Sequence, residues 1–186
     1  MQVPNGREDA DVDAELIARW KRGDERAAAQ IVERHAQALA RFAASTGVRE
    51  EIDELVQDTF VRAFNSLDTF RADSSLRTWL FTIQRRLVLD RNRAERRQGG
   101  RVELEEDHAV QRYDALDTMV ADETAQQVRE AVGRLSPLQR EVFVLRVTEG
   151  MSYSDIATMV GSTEGACRVH YHNAMRSVKE FLDVHA

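Results

Sequence analysis

The chain contains a single cysteine, Cys167, which excludes an internal disulfide and fits a reducing cytoplasm. No apolar run approaches the roughly 20 residues that span a bilayer, so membrane insertion is not expected. The acidic amino terminus does not have the basic, then apolar, layout of a secretory signal peptide. A glycine-rich phosphate loop, a nucleophile elbow, a Cys/His metal spacing and a carboxylate pair with a pocket signature are all missing. The chain is therefore expected to be no enzyme, with no catalytic residue, no cofactor and no metal. His170 and His172 lie two apart and diverge on a helix, which argues against a metal site. No segment alternates apolar and polar residues as a half-buried strand does, and the expected fold class is all-α.

What is present suits one or two small soluble domains: 186 residues, 42% hydrophobic and 31% charged. The net charge of −6 is unevenly placed. Residues 1–97 hold 17 basic and 17 acidic side chains, residues 98–125 hold 2 and 8, and residues 126–186 hold 7 and 7. From Arg77 to Arg101 there are eight arginines against Asp90 and Glu95, whereas Arg49 to Asp58 has five acids and one arginine. Such segregation gives different surfaces different partners, with phosphate facing the arginines.

The most informative stretch runs from Ser152 to Arg176. Ser152 and Asp155 signal a helix start, and Ile156, Met159 and Val160 follow at helical spacing. Gly161 stops that helix because glycine takes the left-handed conformation without strain. Ser162 or Thr163 caps a second helix with Cys167, Tyr171, Ala174 and Val178 on its apolar stripe. There Cys167 reads as a small buried side chain rather than a redox switch. The opposite face carries Glu164, Arg168, His172 and Arg176, which makes a helix-turn-helix. An ordinary helical hairpin shares the pattern, with Glu164 and Arg168 as a surface ion pair.

Upstream, residues 1–12 read as a disordered tail. Helical patterning from Asp13 to about Ala44 breaks near Gly23-Asp24, with one apolar patch at Leu16, Ile17 and Trp20 and another at Ile31, His35, Leu39 and Phe42. Glu51 to Phe64 forms a third helix, with Ile52, Leu55, Val56, Phe60, Val61 and Phe64 inward and Glu54, Gln57, Asp58 and Arg62 outward. A polar loop follows, then a long helix from Ser74 or Ser75 to about Arg97 with Leu76, Leu80, Ile83 and Leu87 buried. Its arginines beside Phe70 and Trp79 are the kind of surface on which single-stranded bases stack. Trp79 by itself reads as a core residue. Residues 98–125 form an acidic linker expected to be flexible. Ser136 and Gln139 then make a capping box around Pro137.

In order and spacing, several motifs resemble the extracytoplasmic-function group of bacterial RNA polymerase sigma factors, in the sigma-70 family. They are Asp53-Glu54-Leu55-Val56-Gln57-Asp58-Thr59-Phe60, Leu67-Asp68-Thr69-Phe70-Arg71, Ser75-Leu76-Arg77-Thr78-Trp79-Leu80, Leu135-Ser136-Pro137-Leu138-Gln139-Arg140 and Met151-Ser152-Tyr153, continuing through Gly161 to Glu164-Gly165. The resemblance implies two small helical domains joined by the flexible acidic linker: a region-2-type domain over 13–97 and a region-4-type helix-turn-helix domain over 126–186. It implies a cytoplasmic factor, tied to stress response, that carries core RNA polymerase to promoters and starts melting.

Glu54, Gln57, Asp58 and Arg62 would meet the clamp helices of the largest subunit, and the second domain the flap. Phe70, Arg71, Asp73, Ser74, Arg77, Thr78, Trp79, Arg85, Arg86 and Arg93 would bind the −10 element, single-stranded once opened. Thr163, Glu164, Gly165, Arg168, Val169, His172, Asn173 and Arg176 would read the double-stranded −35 element, with Arg168 suited to guanine. The family also implies an anti-sigma protein. His170 and Asn173 stand where members often carry arginine, and Ala28 and His35 where bulky aromatics are common, which implies a looser first helical pair. A helix-turn-helix regulator with a ligand-sensing or dimerising first domain shares the carboxy-terminal features and remains the alternative.

Overall fold

The computed structural model describes residues 6–46, 48, 51–98 and 123–185. Among them the regular structure is helical throughout, with no strand: α1 (Gly6–Lys21), α2 (Glu25–Ser45), α3 (Ile52–Asn65), a 3-10 turn (Leu67–Thr69), α4 (Leu76–Gln98), α5 (Glu123–Gly133), α6 (Pro137–Val147), α7 (Tyr153–Val160) and α8 (Glu164–His185). Most of the expected acidic linker, residues 99–122, lies outside the described residues, as do residues 1–5.

The tail expected over 1–12 is corrected from Gly6 onward, where the chain is already helical. Acidic side chains on this helix have basic partners across the gap to α2. Arg34 donates to Asp9 and to Asp13, each at 3.0 Å. The first helical pair is not loose either. His35 Nε2 lies 3.1 Å from both carboxylate oxygens of Asp13, and both residues are buried. Burial alone would raise the Asp13 carboxyl, but the His35 and Arg34 hydrogen bonds and charges outweigh it and hold it below the ordinary value of 3.8. A histidine can thus stand at this position by hydrogen bonding to a buried carboxylate.

The turn between α1 and α2 uses Gly23 at φ +90°, after which Asp24 caps α2 by accepting from the Arg26 N–H at 3.0 Å. In α3, Leu55, Val56, Phe60 and Ala63 face the core, but Val61 is 51% exposed. It lies four residues beyond Gln57 and seven beyond Glu54, so it shares their outward stripe rather than the core face first assigned to it. In α4, Leu76, Leu80, Phe81, Leu87 and Val88 are buried, and Phe81 meets Phe42 of α2 edge-on at 5.2 Å.

The carboxy-terminal helices follow their caps. Gln139 accepts from the Ser136 N–H at 3.4 Å at the start of α6, and Ser152 Oγ accepts from the Asp155 N–H at 3.1 Å at the start of α7. Gly161 takes φ +70°, with open space where a Cβ would sit, so its requirement is conformational rather than steric. Thr163, the second of the two residues considered, caps α8 by accepting from the Ala166 N–H at 3.2 Å.

The two helical units are packed together. One buried cluster joins Leu39, Phe42, Leu80 and Phe81 of the first to Val142, Leu145, Met151 and Ile156 of the second. Burying each such side chain contributes about 1.5–3 kcal/mol, so the interface is held by the same force as either core. α6 rests on α2, and α7 rests on α4.

Candidate nucleic-acid and polymerase interfaces

Three surfaces carry the residues singled out in the sequence. On α3, Glu54, Gln57 and Arg62 are exposed and Asp58 is half-buried. Arg91 of α4 reaches across to this helix, 3.1 Å from Asp58 and 3.8 Å from both Glu51 and Glu54. One arginine facing three carboxylates leaves the face net acidic, and Val61 adds an exposed apolar spot to it.

The second surface is the start of α4 and the loop before it. Ser75 Oγ caps the helix by accepting from the Thr78 N–H at 3.1 Å. Phe70 and Trp79 form a tilted aromatic pair with centroids 5.2 Å apart, both half-buried against the core. Arg71 and Asp73 are exposed and Ser74 half-buried, while Ala72 between them takes a positive φ of 58°. Farther along, Arg86 and Arg93 are exposed, Arg93 lying 3.6 Å from Asp90.

Arg77, Thr78 and Arg85 have a different environment. Arg77 pairs with Glu149. Thr78 Oγ1 donates to Asp155 at 3.2 Å, and Arg85 Nε donates to Glu141 at 2.8 Å. All three acceptors are carboxylates of the second unit. Arg41 of α2 joins them, donating to both oxygens of Glu149 at 3.0 and 3.1 Å. The Glu149 side chain has no exposed area, so its charge is balanced by two guanidiniums in place of water. Burial pushes the Glu141 carboxyl above its ordinary value, and Arg85 offsets part of that.

The third surface is the outer face of α8. Thr163, Glu164, Gly165, Arg168, Val169, His172 and Arg176 are exposed and Asn173 is half-buried, whereas Cys167, Ala174 and Val178 face inward. Arg168 donates to Glu164 at 3.2 Å and lies over the ring of Tyr153, 4.5 Å from its centroid. Val169 is 58% exposed, an apolar group on a charged face. Burial, reinforced by the Glu164 charge, raises the Cys167 thiol, which keeps it an unreactive core residue.

The structure sets Arg77, Thr78 and Arg85 apart from the other residues expected on the α4 face, against partners that the sequence did not announce: Glu149, Asp155 and Glu141 of the second unit, with Arg41. Glu149 and Asp155 look like solvated helix-end acids in one dimension, and Glu141 like a solvated mid-helix one. Tyr153 carried a signal, an aromatic directly after a cap, but nothing pointed to the guanidiniums above it. Among the described residues no group of three His, Cys, Asp or Glu side chains is placed to hold a metal ion, and no helix is long and apolar enough to cross a membrane.

An acidic face on α3, an arginine-aromatic face at the start of α4 and a helix-turn-helix at α7–α8 set the chain beside proteins that act in transcription. Residues 31–98 match the family described as sigma-70 region 2, and residues 125–178 match sigma-70, region 4. The chain is 34% identical to the RNA polymerase sigma factor CnrH of Cupriavidus metallidurans, over 93% of this chain and 95% of that one. A solved structure of CnrH in complex with the cytosolic domain of CnrY is similar at TM-score 0.68 and 30% identity, covering 94% and 99%. The sigma factor RpoE, in complex with the anti-sigma factor NepR from Bartonella quintana, is similar at TM-score 0.66 and 30% identity, covering 83% and 96%. The chain belongs to the extracytoplasmic-function group of the sigma-70 family of RNA polymerase sigma factors. Proteins of this family bind core RNA polymerase and promoter DNA to start transcription, and they are not enzymes.

Proposed function

We propose that the chain directs core RNA polymerase to promoters with both −10 and −35 elements and begins their melting. The first unit, 13–97, docks through Glu54, Gln57, Asp58 and Arg62 on the clamp helices of the largest subunit. The loop and start of α4 take a flipped −10 base against Phe70 and Trp79, with Arg71, Asp73 and Ser74 at the pocket and Arg77, Thr78, Arg85, Arg86 and Arg93 on the phosphates. The second unit, 126–186, meets the flap and lays α8 in the major groove at −35.

One observation carries this reading. Arg77, Thr78 and Arg85 are each engaged by a carboxylate oxygen, so the surface already binds oxyanions, and DNA phosphates have the same acceptor chemistry. It follows that the packed arrangement is a resting form in which Glu149, Asp155 and Glu141 stand where the non-template strand would lie. Promoter binding requires α7 to leave α4. Because the solved structure of RpoE holds the anti-sigma factor NepR, and that of CnrH holds the cytosolic domain of CnrY, an anti-sigma protein acting in the cytoplasm is proposed for this chain as well.

The test is run-off transcription from promoters selected out of a random library. Transcripts are expected only when the chain and core polymerase are both present. Tight duplex binding by the chain alone, with no gain from polymerase, would instead favour a free-standing helix-turn-helix regulator.

A further inference from the structure

The ring of Tyr153 carries two guanidiniums. Cζ of Arg168, on α8, lies 4.5 Å from the ring centroid, and Cζ of Arg146, on α6, lies 4.9 Å from it. Tyr171 meets the same ring edge-on, with centroids 6.0 Å apart. Arg146 is itself anchored, donating to the Met151 carbonyl at 2.7 Å in the turn before α7. Tyr153 is the first residue of α7, directly after the Ser152 cap. The ring of this α7 residue is therefore held from two other helices, α6 and α8.

Core packing does not account for this arrangement. Two like charges over one ring repel each other, and the Arg168 side chain remains 59% exposed, so its stack fills no interior space. Its guanidinium is nevertheless held twice, by the aromatic face and by the hydrogen bond to Glu164 at 3.2 Å. Guanine is read through two parallel N–H groups of one guanidinium plane, to O6 and N7. A long exposed arginine ordinarily loses much rotamer freedom on making that contact, and prior restraint removes part of the loss. The cation–π stack supplies such restraint without consuming N–H donors.

We propose that Tyr153 is a positioning residue for base reading: its ring sets the plane of the Arg168 guanidinium before DNA arrives, and so decides how sharply one base pair of the −35 element is discriminated. This rests on the reading of α8 as the −35 helix. Arg146 serves the same end from the far element, holding the ring rather than the DNA.

The experiment uses holoenzyme and a duplex library with the −35 hexamer randomised and the rest fixed, sequencing the bound fraction. Discrimination is a ratio between sequences bound by one sample, so loss of folded protein cancels. Tyr153→Leu is expected to lower the guanine preference at a single position about tenfold and leave the other positions within twofold. Tyr153→Phe, which keeps the ring, should retain the preference. Arg168→Ala should erase the same position, and adding Tyr153→Leu to it should change nothing further there. A uniform loss across all positions in Tyr153→Leu, or an unaltered guanine preference, overturns the proposal. If Arg168→Ala affects no position, α8 does not read through Arg168 and the proposal fails with it. If wild-type holoenzyme enriches no hexamer at all, the −35 reading itself is what has failed.

Discussion

Arg41 of α2 donates through Nε and Nη2 to both oxygens of Glu149, at 3.0 and 3.1 Å, across 108 residues of sequence. With Arg77 on the same carboxylate, this pair fastens the second unit to the first through a buried carboxylate held by two partly exposed arginines. Removing one partner of a buried pair costs roughly 3–5 kcal/mol, and partial rehydration of the two arginines should bring this nearer 2–3 kcal/mol. Glu149→Gln is therefore expected to open the molecule, raising the radius of gyration in small-angle scattering and the affinity for single-stranded DNA about tenfold. Glu33→Gln, the same charge change at an exposed site on α2, should do neither. Equal radii for Glu149→Gln and wild type would mean that the apolar interface closes the units without the ion pair.

Glu141 adds a pH dependence to the same interface. Burial raises its carboxyl above the ordinary 4.5, and the Arg85 contact only partly offsets this. The sign follows from linkage. A carboxyl raised in the folded state takes up its proton more readily there, so its contribution improves as pH falls through the raised value, and it stops changing below 4.5. Glu141→Gln lacks this component. Urea melts should show the stability of wild type relative to Glu141→Gln rising between pH 7 and about pH 4.5, with no further divergence below.

On α3, the contacts from Arg91 to Asp58, Glu54 and Glu51 lie among exposed or half-buried carboxylates, and such pairs contribute about 0–1 kcal/mol to stability. If the face serves polymerase, its charge matters for docking and little for folding. Glu54→Lys should weaken binding to core polymerase by at least about tenfold while moving the melting temperature by no more than a few degrees. A large thermal shift with unaltered polymerase affinity would make α3 a purely structural helix.

Gln84 of α4 is fully buried, and neither its amide nitrogen nor its amide oxygen has a hydrogen-bond partner among the described residues. Leaving a buried amide unpaired costs roughly 1–3 kcal/mol, and methionine has nearly its shape without the polar atoms. Gln84→Met is expected to stabilise the protein by about 1 kcal/mol, seen as a melting temperature 2–4 °C higher. A lower melting temperature would point to an ordered water bound to the amide.

The features legible in the sequence are those decided within a turn or two of chain. Ser152, Thr163 and Ser75 act on N–H groups three residues away, and Gly161 satisfies its own φ. Cys167, Ala174 and Val178 repeat at helical spacing, so their burial is written in the period. Pairing between distant charges leaves no such trace. Arg41 and Glu149 look like any solvated residues, because one-dimensional composition does not tell a hydrated carboxylate from one that has exchanged water for arginines. The helical state of residues 6–12 was hidden for the same reason, since Asp9 gains its partner, Arg34, only once α2 is in place. Val61 was misplaced by treating apolarity as inwardness, whereas its stripe is the one that faces outward.

The clasp between α1 and α2 shows what such distant charges are worth. Burial raises the Asp13 carboxyl, but His35 and Arg34 more than compensate and its folded value lies below 3.8. A carboxyl depressed in this way stabilises the fold fully above its unfolded value and loses that contribution as pH falls through the folded one. Asp13→Asn keeps the shape and removes the charge, and loss of charged hydrogen bonds of this kind costs about 1.5–3 kcal/mol. At pH 7 the variant should therefore melt at lower urea concentration than wild type. The gap should hold down to about pH 4 and close only below it, as wild type loses its own carboxylate. Hydrogen exchange would locate the loss, with amides of α1 exchanging faster in Asp13→Asn while those of α8 keep their protection. Equal loosening of both helices would mean that α1 is a support of the whole molecule rather than a separately docked element.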